Sequence, residues 1–158
     1  CNAKVNDSCG FHVHMDAASF NLDTWKNLAL TYKHLEHLID AFMPRTRRNN
    51  TYCKTLSGVS DERIKSVRTI DGLREVFNND RYHKVNFEAY SRHRTVEFRQ
   101  HSGTTNFTKM ENWIRFLNGL ITFAKRSSLP SRMTLEELPF LDGKQKLFFK
   151  LRTKKLAV

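Results

Sequence analysis

Hydrophobic and polar positions along this chain follow two periods, and each predicts a different element. At Cys9-Gly10-Phe11-His12-Val13-His14-Met15-Asp16 they alternate. A strand here turns Phe11, Val13 and Met15 toward a core and leaves Gly10, His12, His14 and Asp16 on the opposite face. From Asn21 to Phe42 the spacing becomes three and four, through Trp25, Leu28, Tyr32, Leu35, Ile39 and Phe42, which predicts an amphipathic helix. Met43-Pro44 closes it, because proline disfavours helical geometry in the residue before it. The run Arg45-Thr46-Arg47-Arg48-Asn49-Asn50-Thr51-Tyr52 then reads as a basic loop and a candidate anion site. Residues 57–80 read as short helices or turns, with Ile64, Val67, Ile70, Leu73, Val76 and Phe77 on an apolar side.

Alternation returns at Val85-Asn86-Phe87-Glu88-Ala89-Tyr90 and, after a short polar turn, at Thr95 to His101, predicting an antiparallel hairpin. In its second strand Val96 and Phe98 face the core, while Thr95, Glu97, Arg99 and His101 share the other face. Thr108-x-x-Glu111 has the form of a capping box before a second long helix carrying Met110, Trp113, Ile114, Leu117, Leu120, Ile121 and Ala124. A looser connector with Pro130, Pro139 and a Thr134/Glu137 capping box leads to a lysine-rich tail around Leu147, Phe148, Phe149 and Leu151, expected as a docking helix. The expected fold class is α+β, an antiparallel sheet packed against long amphipathic helices. The expected division within one compact unit is a main portion at residues 1–126 and a connector with a basic helix at 127–158.

Composition narrows the function. The chain has 158 residues, 39% hydrophobic, enough for one domain with a core. Lys and Arg total 27 against 16 Asp and Glu, a net charge of +11, which favours anionic partners such as nucleotides, nucleic acid or acidic peptides. Neither a long apolar span nor a signal peptide is visible, so the expectation is a cytoplasmic protein without a membrane partner. Cys1, Cys9 and Cys53 lack zinc-site spacing and read as free thiols. Cys9 shares the parity of Phe11 and Val13 and is expected as a core thiol rather than a nucleophile, and Cys1 is a weaker candidate nucleophile still. His34 and His37, three apart on a helix, are expected on its solvated surface.

His12 and His14 on one strand face, and Glu97 with Arg99 on another, together suggest a metal-nucleotide site. Imidazole and carboxylate suit a divalent ion bridging phosphates, and arginine's fork grips phosphate or carboxylate oxygens. Alone, His-x-His or Glu-x-Arg is compatible with an ordinary strand surface. Their joint alternation carries the signal. His101 extends the Glu97 and Arg99 face, either as a nucleotide or substrate contact or as a hydrogen-bonded strand end.

The ordered motifs Ser8-Cys9-Gly10-Phe11-His12-Val13-His14-Met15-Asp16-Ala17, Pro44 to Cys53, Arg81-Tyr82 with Val85-Asn86, and Thr95 to Thr104, followed by the Trp113-Ile114 helix, resemble the amidoligase family over roughly residues 5–125. The resemblance implies an ATP-dependent carboxylate-amine ligase with a fold like that of glutamine synthetase and glutamate-cysteine ligase, forming an amide through an acyl phosphate. Its cofactors would be ATP and Mg2+, and its partners carboxylate and amine substrates, small or peptidic, with a homo-oligomer or larger assembly open. By position, His12 and Glu97 are implied as magnesium ligands, His14 as a phosphate contact, and Arg99 as the grip on the transferred phosphate or the substrate carboxylate. Arg47, Arg48 and Arg81 fit the basic set around them, and Asn86 would hold the site's edge. Ligases of this kind open with a Gly-x-Glu-x-Glu strand whose carboxylates bind magnesium, and no such pattern precedes His12. The expectation is a fragment whose upstream strand lies elsewhere, in preference to a degenerate ligase that has lost catalysis, with the activity of the chain alone left open. Two other classes compete. One is a non-catalytic nucleic-acid-binding or virion-associated basic protein. The other is a phosphoesterase in which His12, His14 and Glu97 hold an ion that activates water.

Overall fold

The strand that carries Glu97 lies at the centre of a three-stranded antiparallel sheet. In the computed structural model, which describes residues 3–6 and 8–157, β1 (Val13–Asp16) and β2 (Val85–Asn86) flank β3 (Thr95–Phe98) in the order β1-β3-β2. The register pairs His14 with Glu97 on one side of β3 and Asn86 with Glu97 on the other. Cys1 lies outside the described residues.

Six helices complete this mixed α/β fold among the described residues: α1 (Leu22–Ala41), α2 (Asp61–Ser66), α3 (Ile70–Val76), α4 (Ala89–His93), α5 (Phe107–Ala124) and α6 (Gly143–Leu156). The first long helix sits where its periodicity placed it. Asn21 caps it by accepting from the Thr24 amide at 2.9 Å. The second begins one residue before the expected box, because Asn106 and not Thr108 accepts the first free amide, that of Lys109 at 3.1 Å. The Thr134/Glu137 pair bonds side chain to side chain over a single 3-10 turn, without a side-chain cap on the backbone. The reciprocal capping box belongs instead to Asp142 and Gln145, at the start of α6.

The inner face of the sheet packs on α1, with Val96 and Phe98 fully buried and Tyr32 stacked on Phe98. Trp25 sits among Phe20, Phe87 and Tyr90. Phe42 joins α1 to Trp113 and Phe116 of α5 and to Phe149 of α6, the docking contact of the tail. Burying each of these large rings contributes about 2–3 kcal/mol, so the face that holds them is fixed.

Three expectations are corrected. The stretch Val85 to Tyr90 is not one strand: the Asn86 side chain accepts from the Glu88 amide at 2.9 Å, turning the chain after two paired residues into α4. Arg94, in the left-handed region at φ 55°, ends that helix and starts β3. His34 and His37 are not solvated. His34 bonds the Leu129 carbonyl and the Asp61 carboxylate, each at 2.7 Å, and His37 bonds the Met133 carbonyl at 3.1 Å, so both pin the connector onto α1. Cys9 is half-buried, not a core thiol, because the strand begins only at Val13. No helix among the described residues is long and apolar enough to cross a membrane.

Candidate functional site

The outer face of the sheet carries the chemistry. Glu97 is buried, at 8% exposure, and both carboxylate oxygens are engaged. Oε2 meets His14 Nε2 at 2.7 Å, while Oε1 accepts from Arg99 Nη1 at 2.6 Å and from Asn86 Nδ2 at 3.4 Å. Burial pushes the Glu97 carboxyl up, but the hydrogen bond and charge of Arg99, with Asn86 and His14, hold it net below the usual carboxylate range. His14 Nδ1 meets the Thr95 hydroxyl at 2.8 Å. Since Nε2 faces a carboxylate, it carries the proton and donates.

Arg99 extends from this pair toward two tyrosines. Its Nε donates to the Tyr52 carbonyl at 3.4 Å, and its guanidinium lies 5.3 Å from the Tyr82 ring centre. Arg81 lies 4.9 Å from the same centre and donates to the Tyr82 hydroxyl at 2.7 Å. Tyr52 meets Tyr82 edge to face. Tyr82 therefore orients two arginines at once. The sequence motif Arg81-Tyr82 includes it, but spacing alone assigned it no role.

His12 is exposed beside this group. The charges of Arg99, Glu97, Arg47 and His14 all act on it, and burial first, then Arg99, lowers its pKa. Gly10 lets the ring lie close: a Cβ there would fall 2.6 Å from His12 Nε2 and 2.9 Å from Arg47 Nη2. Arg47 is buried, donating from Nε to the Gln100 carbonyl at 3.2 Å and from Nη2 to the Arg99 carbonyl. Its guanidinium thus fixes the backbone at the end of β3. Arg48 donates to the Met43 carbonyl at 3.1 Å, closing the turn after α1.

His101 does not extend the Glu97 face. Regular pairing stops at Phe98, and His101 turns inward between Phe11 and Trp113, its Nδ1 bonded to the Ser102 carbonyl at 2.7 Å. Burial drives its pKa down to about 4. Asp16 is spent locally, accepting from the Ala18 amide at 3.0 Å.

A cavity of about 500 Å³ opens over this face, lined by His14, Arg81, Asn86, Glu97 and Arg99. The fold adds Arg74, Asn79, Glu88, Arg92 and His93 to its walls, none of which the motifs pointed to. Arg74 is neutralised by Glu88, with Nε to Oε2 at 2.9 Å. Four arginines against two carboxylates leave the cavity with excess positive charge, suited to oxyanions. A larger depression of about 630 Å³ lies along α1. Its walls carry Glu36, Asp40, Asp61 and Glu62 against Lys33 and Arg132, so its charge excess is acidic and does not suit an oxyanion.

Among the described residues, no group of three or more His, Cys, Asp or Glu is placed to hold a metal ion. The donor set fits a phosphate directly. For magnesium it offers Glu97, whose oxygens are held by His14, Arg99 and Asn86, and Glu88, held by Arg74, a set that suits only an ion drawing most of its ligands from phosphate and water.

A family model described as "Putative amidoligase enzyme" matches residues 2–121. That span contains the whole sheet, the cavity and most of α5, and it ends before α6. No curated protein and no solved structure matches the chain.

Proposed function

Because this chain belongs to that amidoligase family, we propose that it carries the phosphate-handling wall of an ATP-dependent carboxylate-amine ligase, in a fold of the glutamine synthetase kind. The observation that carries the reading is the convergence of Arg81, Arg92 and Arg99 with the Glu97–His14 pair on one open sheet face. In such a ligase a substrate carboxylate takes the terminal phosphoryl group of ATP, ADP leaves, and an amine displaces phosphate from the acyl phosphate.

Each residue then has a task. Arg99 grips the transferring phosphoryl oxygens, and its hold on Glu97 keeps the guanidinium aimed before the ligand arrives. Arg81 and Arg92 neutralise the remaining phosphate charge. His14 donates from Nε2, and its Thr95 contact fixes the ring. Tyr82 orients Arg81 and Arg99, and Arg47 holds the strand end that presents Arg99. Glu97 is the carboxylate available to magnesium, which would supply charge neutralisation between phosphates. His12, the second magnesium ligand that the resemblance implies, lies outside the cavity walls, with its ring beside Gly10 and Arg47.

The test is ADP release from ATP and magnesium with a panel of carboxylates and amines. The reading expects release that needs both co-substrates and is lost in Arg99→Gln. It is contradicted if no nucleotide binds, or if a phosphodiester is cleaved without ATP.

A further inference from the structure

A second group of cations lies where α6 crosses α5. Phe116 of α5 meets Phe149 of α6 with ring centres 5.4 Å apart. Two turns back along α5 stands Lys109, and one turn on along α6 stands Arg152. The charges of Arg152 and Lys155 both act on Lys109, and those of Arg152 and Lys109 act on the buried His101 beneath them. Lys109 and Arg152 are each partly buried, and none of the three side chains makes an ion pair or side-chain hydrogen bond among the described residues.

Among the described residues, none pairs with them. Residues 143–156 contain Lys144, Lys146, Lys150, Arg152, Lys154 and Lys155 and no acidic residue. The acidic residues of the flanking segments are engaged elsewhere, Glu111 with Arg115 at 2.9 Å, Glu136 with Lys150 at 4.0 Å, Glu137 with the Thr134 hydroxyl at 2.8 Å and Asp142 with the Gln145 amide at 2.8 Å. A partly buried guanidinium with no acceptor, held next to two ammonium groups, is unfavourable in the free protein. The arrangement is relieved by an anion of more than one charge that can accept from several donors.

We propose that Lys109, Arg152 and Lys155 form a second oxyanion site, separate from the cavity over the sheet, that takes a phosphate group. The planar fork of Arg152 donates to two phosphate oxygens and the two lysines add point charge around them. The phosphate belongs either to a free polyphosphate or nucleotide or to a nucleic-acid backbone running on along the lysines of α6. Both sources use the same three residues. Since α6 lies beyond the matched residues 2–121, the site does not depend on the ligase reading.

Pyrophosphate and, separately, a short oligothymidylate are titrated calorimetrically into the full chain and into Arg152→Gln, Arg152→Lys, Lys155→Gln and Arg99→Gln. Melting curves are recorded with and without each ligand. Without ligand, Arg152→Gln is expected to melt at the same or a higher temperature, because like-charge repulsion is removed. Its binding to this site should weaken about tenfold, a loss of about 1.4 kcal/mol. Lys155→Gln should weaken it less, Arg152→Lys should retain most of it, and Arg99→Gln should leave it intact. Tighter binding of the oligonucleotide than of pyrophosphate, lost in Arg152→Gln, assigns the phosphate to nucleic acid, and the converse assigns it to a free ligand. The proposal is overturned if Arg152→Gln and Lys155→Gln bind both ligands like the parent, or if Arg99→Gln alone abolishes all binding.

Discussion

His14 and Glu97 are direct partners across the β1–β3 pair, and their side chains close on each other at 2.7 Å. The same carboxylate holds Arg99 at 2.6 Å through its other oxygen. One acid thus fixes an imidazole and a guanidinium in the face that lines the cavity.

That pairing predicts measurable coupling. A double-mutant cycle of His14→Asn and Glu97→Gln by urea unfolding at neutral pH should give an interaction of about 0.5–1.5 kcal/mol. The coupling should fade as pH falls through the depressed Glu97 pKa, since a carboxylate held low in the fold contributes stability only while ionised. Strict additivity of the two substitutions at neutral pH would break the account of the site's preorganisation.

His101 sets the stability at mildly acidic pH. Its pKa falls by burial from 6.5 to about 4, so between these values the unfolded chain binds a proton that the folded chain does not. Stability should therefore be complete above about pH 6.5 and drop by about 3 kcal/mol as pH falls toward 4. His12, lowered in the same direction, adds a smaller slope. Urea midpoints between pH 7.5 and 4.5 test this: His101→Asn should flatten the profile, whereas His12→Asn should leave most of it. A parent profile without slope in that range contradicts the placement of His101.

Two glycines should behave differently. At Gly103 an added Cβ would fall 2.5 Å from Cys9 Cβ and 3.2 Å from the Cys9 carbonyl. Gly103→Ala should therefore destabilise by about 1–3 kcal/mol through displaced backbone. At Gly10 the clash is with the end of the exposed His12 side chain and with Arg47 Nη2, whose hold on the Arg99 carbonyl would be disturbed. Gly10→Ala should keep the fold and weaken nucleotide binding instead. Thermal melts together with calorimetry separate the two effects, and equal destabilisation without a binding loss at Gly10 would contradict them.

Thiol chemistry gives a further check. Cys53 is fully buried against the Arg47 carbonyl, and burial raises its pKa to about 11. Peptide mapping after iodoacetamide treatment should find Cys9 modified in the native protein and Cys53 only after unfolding. Rapid native labelling of Cys53 would place the Arg47 turn wrongly.

Much of this site was legible because strand alternation is a local property. His12, His14 and Val13 needed only the parity of one strand, and Glu97 and Arg99 only that of another. The register joining His14 to Glu97 is non-local, and the sequence offered only the matching pattern. What it hid depended on where alternation stops. Asn86 turns the chain through its own side chain, so the walls from Glu88 to His93 arise from a helix and its cap where the end of a strand and a polar turn were expected. His101 keeps the parity of Arg99 on paper but lies beyond the last regular ladder residue, where Trp113 and Phe11 draw it inward. Arg47 looked like a free loop cation and instead satisfies two backbone carbonyls, a role no spacing rule reveals.

The central claim, that the Glu97–Arg99 face receives the phosphates of a nucleotide, is tested most directly by calorimetric titration of a non-hydrolysable ATP analogue with magnesium. The parent chain and Arg99→Gln are compared at matched ionic strength, with unfolding curves to show that both are folded. The account predicts binding by the parent that weakens at least about tenfold, about 1.4 kcal/mol, in Arg99→Gln. Equal affinity of the two folded proteins for the analogue would contradict it.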